Sequence, residues 1–137
     1  MAKLYIRNPR RPKARSAARG RKAVIEPAIF AKVREIALSL PGTEETTSYG
    51  TPAFKLRDGV GFARLHQDGE SLVVRMDFEQ RAAMIEADPE IYHITDHYVN
   101  YEWILVRLAR ARADALRDLL RGAWRWAASN KGRSSKE

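Results

Sequence analysis

The chain has 137 residues, of which 45% are hydrophobic, and this length suits one domain with a single buried core. It contains no cysteine, which excludes disulfide bonds and thiolate chemistry. It has no run of about 18 apolar residues and no apolar stretch typical of a secretory signal. We therefore expect a cytoplasmic protein without a membrane-spanning helix.

The net charge of +8 is distributed unevenly along the sequence. Residues 1–23 carry nine Lys and Arg residues and no acid, and residues 131–137 carry three basic residues and one acid. Residues 24–130 hold 13 basic and 16 acidic residues, which is a net charge of −3. We therefore expect a polyanion to bind the two terminal segments in preference to residues 24–130.

Composition divides the chain into three segments. Residues 1–23 lack apolar periodicity and contain Pro9, Pro12 and Gly20, which predicts a disordered basic N-terminal arm. Residues 24–128 are predicted to form the folded domain, and residues 129–137 a polar basic tail. An Arg-rich, acid-free arm also resembles an organellar transit peptide, but it offers few apolar residues for an amphipathic helix. The same shortage disfavours an anionic membrane as the partner.

Helical spacing of apolar residues predicts a first helix from about Pro27 to Pro41-Gly42. Residues 44–48 are polar and are expected to connect this helix to the turn residues Tyr49-Gly50. Alternating apolar residues and two Asp-Gly turns then predict a meander of three strands. These strands cover residues 53–57, 61–66 and 71–76.

Asp77 is a predicted helix N-cap, with Gln80 completing a capping box. We expect Phe78, Ala82 and Ile85 to point inward from this second helix. Strands at 93–98 and 103–108 and a helix at 114–128 complete the predicted elements. The order α-β-β-β-α-β-β-α, with adjacent hairpins, predicts an α+β fold in two layers, an antiparallel sheet covered by helices.

The segment Leu40–Lys55, with the sequence LPGTEETTSYGTPAFK, resembles the opening signature of the MmcQ/YjbR-like family. Gly61-Phe62-Ala63, Asp96-His97-Tyr98 and Trp103-Ile104-Leu105-Val106 also resemble that family, and the similarity covers roughly residues 28–127. Its members are small bacterial α+β proteins that are often labelled DNA-binding. The resemblance therefore implies this fold and a nucleic-acid partner, and it brings no catalytic residues. The basic arm departs from the compact family pattern.

Two groups of basic residues are candidates for contacts with nucleic acid. The first lies in the arm and comprises Arg10, Arg11, Lys13 and Arg15. The second is expected on one face of the sheet and comprises Lys55, Arg57, Arg75 and Arg107, with Trp103 beside them and Arg64 as a further candidate. Cations interleaved with an aromatic ring suit phosphate tracking and base stacking. The alternative is an ordinary solvated face on which arginine stems cover apolar residues.

Tyr49, Lys55, His97 and Trp103 are the candidates for an alternative ligand pocket. For Tyr49 we favour instead a structural corner in which its ring packs against the core. His93, Asp96 and His97 have the residue types of a metal site. In the predicted strand, however, the two histidines lie about 13 Å apart, which is too far for one ion.

These patterns favour a non-enzymatic binding protein that contacts DNA without sequence preference, with DNA favoured over RNA. The alternative is a small-ligand or protein-interaction domain. No nucleophile with a neighbouring base and no phosphate-binding glycine loop is evident, so we expect no catalytic residue, cofactor or metal. The oligomeric state stays open.

Overall fold

The computed structural model describes residues 24–130, so the predicted disorder of the basic arm lies outside the described residues. In chain order the elements are α1 (Phe30–Ser39), β1 (Thr43–Ser48), β2 (Thr51–Leu56), β3 (Gly61–Leu65), β4 (Ser71–Arg75), α2 (Phe78–Ala87), β5 (Tyr92–His93), β6 (Trp103–Arg107) and α3 (Ala113–Ser129). Two short 3-10 turns, Asp96–Tyr98 and Leu108–Arg110, flank β6.

The six strands form one antiparallel sheet in the order β1-β2-β3-β4-β6-β5. Helices α1 and α3 pack on one face, which we call the helical face, and α2 lies beside β5 and β6. The predicted α+β architecture and its order of elements are confirmed.

The core on the helical face follows the predicted alternation of strand residues. Leu72 and Val74 of β4 and Ile104 and Val106 of β6 all point into it and are fully buried. Opposite them, α3 buries the stripe Leu116, Leu119, Leu120, Ala123 and Ala127. Each fully buried aliphatic side chain contributes about 1.5–3 kcal/mol relative to an exposed one, so this layer supplies much of the driving force for folding.

Strand β1 corrects the expectation that residues 44–48 are only a connection. Its six residues pair with β2 along their whole length, from Thr43 opposite Leu56 to Ser48 opposite Thr51. Tyr49 and Gly50 both have positive φ, 53° and 81°, which is the turn that a two-residue hairpin needs. The polar sequence concealed the strand because β1 lies at the sheet edge, where most of its residues meet solvent.

The turn between β3 and β4 shows why Asp68-Gly69 predicts a hairpin. Gly69 has a φ of 73°, and the carboxylate of Asp68 accepts the backbone N–H of Glu70 at 2.7 Å and of Ser71 at 2.9 Å. Burial acts to raise the pKa of Asp68, but these hydrogen bonds outweigh it and hold the pKa below its ordinary value.

Helix α2 begins as predicted and buries a different residue from those expected. The Asp77 carboxylate caps it by accepting the backbone N–H of Gln80 at 2.7 Å. Phe78 and Ala82, expected inside, are exposed, and Ile85 is half-buried. The buried residue of this helix is Arg81. Periodicity of apolar residues could not find an arginine that turns inward to make hydrogen bonds.

The predicted strand 93–98 is mostly a loop. Only Tyr92 and His93 pair with β6, and residues 94–102, which we call the covering loop, include the 3-10 turn Asp96–Tyr98. The loop packs on the second face of the sheet, which we call the outer face. There Tyr98 joins Val73, Trp103 and Leu105 in a second apolar cluster. The sheet is therefore covered in part on both sides.

Candidate functional site on the outer face of the sheet

The strand register places three of the four predicted sheet cations on the outer face, whereas Arg57 lies beyond the end of β2. Ala53, Arg64, Val73 and Leu105 form one row across four strands. Because side chains alternate along a strand, Lys55, Arg75 and Arg107 share the side of that row. Arg75 lies opposite Trp103. The expectation of a common face therefore holds for these side chains.

The outer face is not the open surface that a phosphate-tracking sheet requires. Arg64 and Arg75 are each only 4% exposed, and Trp103 is 3% exposed. Tyr98 of the covering loop and Trp126 of α3 lie against these residues. Strand alternation alone could not show this, because the cover comes from residues distant in sequence.

Arg75 is held between indole rings at the end of β4. Its guanidinium carbon lies 4.0 Å from the ring centre of Trp103 and 4.3 Å from that of Trp126. Its Nε donates to the carbonyl oxygen of Gly61 at 3.2 Å. A ring that is buried under a guanidinium cannot stack on a base, so the structure does not support Trp103 as a stacking platform.

The other three predicted cations lie against groups of the protein itself. Lys55 Nζ is 3.6 Å from one carboxylate oxygen of Glu44, and Arg57 Nε is 3.9 Å from the other. Arg107 donates to the carbonyl oxygens of Pro89 and Glu90, both at 3.3 Å. A phosphate would have to compete with these partners at each position.

Arg64, a further candidate from the sequence, is the centre of the hydrogen bonds on this face. It donates to the Tyr98 hydroxyl at 2.6 Å, to Gln67 Oε1 at 3.2 Å and to the Leu65 carbonyl at 3.3 Å. Its guanidinium also lies over the ring of Tyr49 at 5.0 Å. Arg64 thereby joins the β1–β2 turn to the covering loop.

The four residues of the predicted alternative pocket lie in two neighbouring cavities. Lys55 and Trp103 line one of about 280 Å³, and Tyr49 and His97 line another of about 190 Å³. Arg64 lines both and separates them. Tyr49 is 63% exposed, so the expectation that its ring packs against the core is wrong. Its positive φ places it at the tip of a hairpin.

His97 belongs to an aromatic group and not to a cluster of ligating side chains. Its ring meets Tyr98 edge to face at 4.8 Å and lies 6.4 Å from Tyr101. His93 is on β5, where burial and the nearby charge of Arg107 lower its pKa. Within residues 24–130, no group of three or more His, Asp or Glu residues is placed to hold a metal ion.

Arg81 is the residue that sequence reasoning missed. One of its terminal nitrogens donates to the carbonyls of Tyr98, Tyr101 and Trp103 at 2.9, 2.7 and 3.1 Å, and the other donates to that of Val99 at 3.0 Å. Burial lowers the pKa of Arg81, and the charge of Glu102 acts in the opposite direction. Three of these carbonyls belong to the covering loop and the fourth to Trp103 of β6, so Arg81 fixes the loop against the sheet, and through Tyr98 it also fixes Arg64.

The arm residues Arg10, Arg11, Lys13 and Arg15 lie outside the described residues. Among residues 24–130, no helix is both long enough and apolar enough to cross a membrane.

Comparisons with known proteins agree with this architecture. The family model described as YjbR matches residues 38–126. The crystal structure of Deinococcus radiodurans protein DR2400, with a DUF419 domain, superposes with a TM-score of 0.59 at 26% identity, and the match covers 69% of this chain and 75% of that one. No curated protein matches the sequence significantly. The resemblance first indicated by residues 40–55 is confirmed, and the chain belongs to the YjbR family.

Proposed function

We propose that the protein is a non-enzymatic nucleic-acid-binding protein whose basic arm supplies most of the electrostatic contact, with DNA as the favoured partner. One observation carries the proposal: nine cations and no acid stand in residues 1–23, whereas residues 24–130 have a net charge of −3. The proposal includes the cytoplasmic location expected from composition.

The geometry of the domain supports the arm over the sheet as the source of affinity. Arg75 is buried, Arg107 donates to carbonyls, and Lys55 lies beside a carboxylate. The net negative charge of residues 24–130 also repels an approaching phosphate backbone, and this repulsion weakens any attraction by the exposed cations of the domain. The arm has no acid to oppose this approach.

The charge of the arm sets the expected salt dependence. Each phosphate neutralised on duplex DNA contributes a slope of about −0.9 to log K against log salt, compared with about −0.7 on a single strand. Full engagement of the nine cations would therefore give a limiting slope of about −8 on duplex DNA. We expect micromolar binding at low salt that weakens steeply, and weaker competition from single-stranded RNA of equal length.

The test replaces Arg10, Arg11, Lys13 and Arg15 by Gln in the full chain and measures fluorescence anisotropy of a labelled duplex across a salt series. The slope should become shallower by about 3 to 4. A matched control removes the same charge from exposed positions of the domain, through Arg110, Arg112, Arg117 and Arg121 to Gln. If the control weakens the slope equally, or if the duplex does not bind at low salt, the proposal fails.

A second candidate function rests on the larger outer-face cavity. Lys55, Arg64 and three hydroxyl-bearing residues of β1, Thr46, Thr47 and Ser48, line this cavity of about 280 Å³. This chemistry suits a small anion such as a phosphate ester. Amide NMR titration with inorganic phosphate should shift these residues, and Lys55→Gln should abolish the shifts while duplex binding persists. Shifts that survive Lys55→Gln would reject this site.

A further inference from the structure

A groove of about 550 Å³ lies between α2 and α3 and shares no lining residue with the two outer-face cavities. α2 contributes Gln80 and Met84, and α3 contributes residues from Ala115 to Ser129. The volume falls within the roughly 300–1,000 Å³ typical of sites for small molecules. Of the residues predicted to contact nucleic acid, Arg75 is the one that also lines this groove.

The inner wall of the groove is apolar and rich in groups that contact aromatic rings well. Met76, Tyr92, Leu119 and Ala123 are buried there, and Trp126 also lines the groove. Thioethers and aromatic edges both pack favourably against planar π systems. The wall therefore fits a flat aromatic body better than a flexible polar one.

Gly122 widens the groove at the middle of α3. A Cβ built on it meets no atom within 4 Å among the described residues, and its φ is not positive. Neither close packing nor backbone conformation therefore requires glycine here, although glycine costs a helix interior about 1 kcal/mol relative to alanine. The physical effect of this glycine is to leave open space beside the apolar wall.

The buried charge of the groove is positive. Arg75 lines it, and its guanidinium is held by two indole rings and the Gly61 carbonyl. Asp77, Asp118 and Arg125 also line the groove, but all three are exposed, so water and salt screen their charges. A fixed guanidinium in a low-dielectric wall acts more strongly on a ligand than these rim charges do.

We propose that the groove between α2 and α3 binds a small planar aromatic anion. The aromatic body lies on Met76, Tyr92 and Leu119, and the anionic group points toward Arg75. This proposal is independent of the proposed function of the basic arm, because every residue of the groove lies outside residues 1–23.

The methionines provide a sharp test. The chain has three, and Met76 and Met84 line the groove, so a spectrum of ¹³C-methyl-methionine protein reports on it with few signals. Naphthalene-1-carboxylate should shift both signals, and 1-naphthylmethanol and 1-naphthylmethylamine should bind at least about tenfold more weakly. The absence of shifts at millimolar carboxylate, or equal binding of the alcohol or the amine, overturns the proposal.

Gly122→Leu provides the matching variant. Its side chain should fill the groove and weaken naphthalene-1-carboxylate by about tenfold or more, while the better helix propensity of leucine preserves the fold. Ala128→Leu, on an exposed position of the same helix, is the control and should bind normally. Arg75→Gln should remove the preference for the carboxylate over the alcohol. If Arg75→Gln does not fold, the Gly122 comparison still decides, and undiminished binding by Gly122→Leu rejects the site.

Discussion

The helical face of the sheet is closed by aliphatic side chains that repeat at strand and helix spacing, whereas the outer face is closed by arginines that contact carbonyls and aromatic rings. On the helical face, Leu120 of α3 and Val74 of β4 are buried in a continuous apolar layer. On the outer face, Arg64 and Arg75 are almost as deeply buried, but through hydrogen bonds and indole rings.

This difference predicts different tolerance to substitution. Apolar packing is nondirectional, so the helical face should accept side chains of similar volume. A buried guanidinium depends on the positions of its acceptors, so the outer face should reject even a charge-conserving change. The comparison can be tested by paired substitutions on the two sides.

The largest effect is expected from Leu120→Ala. Leu120 is fully buried, and its truncation removes apolar contacts and leaves a cavity that the neighbouring strands fill only in part. We expect a loss of about 3–4 kcal/mol in the free energy of unfolding, measured by urea denaturation. Leu120→Met, which conserves volume, should lose less than about 1.5 kcal/mol. Similar losses for the two variants would contradict nondirectional packing on this face.

The next largest effect is expected from Arg81→Met, which should lower the free energy of unfolding by about 3 kcal/mol. The substitution keeps much of the side-chain volume but deprives four carbonyls of their donor, and each buried acceptor left unpaired costs about 1–3 kcal/mol before the loop relaxes. Arg81→Lys should recover less than half of this loss, because an ammonium cannot reproduce the planar set of donors.

Urea denaturation measures both Arg81 variants. Arg121→Met, at an exposed position of α3, is the control and should stay within about 0.5 kcal/mol of the parent chain. Full recovery by Arg81→Lys would show that charge, and not geometry, holds the covering loop.

The same contrast explains how far the sequence predicts the molecule. The buried residues of the helical face can be predicted from the sequence, because apolar residues there alternate along each strand. Leu72 and Val74 show this in β4, and Ile104 and Val106 show it in β6. Those of the outer face cannot, because the Tyr98 hydroxyl that Arg64 contacts lies 34 residues away and the carbonyls that Arg81 contacts lie 17 to 22 residues away, and because an arginine in a periodic pattern indicates solvent. Lys55, Arg64, Arg75 and Arg107 therefore share the predicted face, but the burial of Arg64 and Arg75 could not be predicted from the sequence.

Strand β1 was missed for a related reason. Its sequence TEETTS contains no apolar residue, and its pairing is determined by the Tyr49-Gly50 turn and by β2. An edge strand without an apolar face resembles a loop when only composition is considered. Gly50 was the available signal in the sequence, since glycine adopts the positive φ that a two-residue hairpin turn requires, and the structure shows positive φ at both Tyr49 and Gly50.

A smaller effect is expected from Tyr98→Phe, which removes one hydroxyl from the centre of the outer face. That hydroxyl accepts a 2.6 Å hydrogen bond from Arg64, and bonds to charged groups contribute about 1.5–3 kcal/mol. We expect a loss of about 2 kcal/mol by urea denaturation, with Tyr101→Phe, whose ring is exposed, unchanged as the control. An equal loss of unfolding free energy in both variants would show that the hydrogen bond between Tyr98 and Arg64 makes no particular contribution to stability.

The smallest effect concerns the pH dependence at His93, where the outer face meets β5. Burial, aided by the charge of Arg107, lowers the pKa of His93 below its ordinary 6.5, and its buried Nδ1 has no hydrogen-bond partner among residues 24–130. The unfolded chain therefore binds a proton more readily than the folded one. The contribution of His93 to the free energy of unfolding is therefore fully present above pH 6.5. It decreases as the pH falls below that value, and the decrease ends once the pH is below the pKa of His93 in the folded protein.

Urea denaturation between pH 7 and 5 measures this decline in the free energy of unfolding. The decline should become flatter in His93→Asn, whereas His97→Asn, in the exposed part of the covering loop, should keep it. If the decline is unchanged in His93→Asn, other titratable groups produce it, and the burial of His93 on β5 does not contribute to the pH dependence.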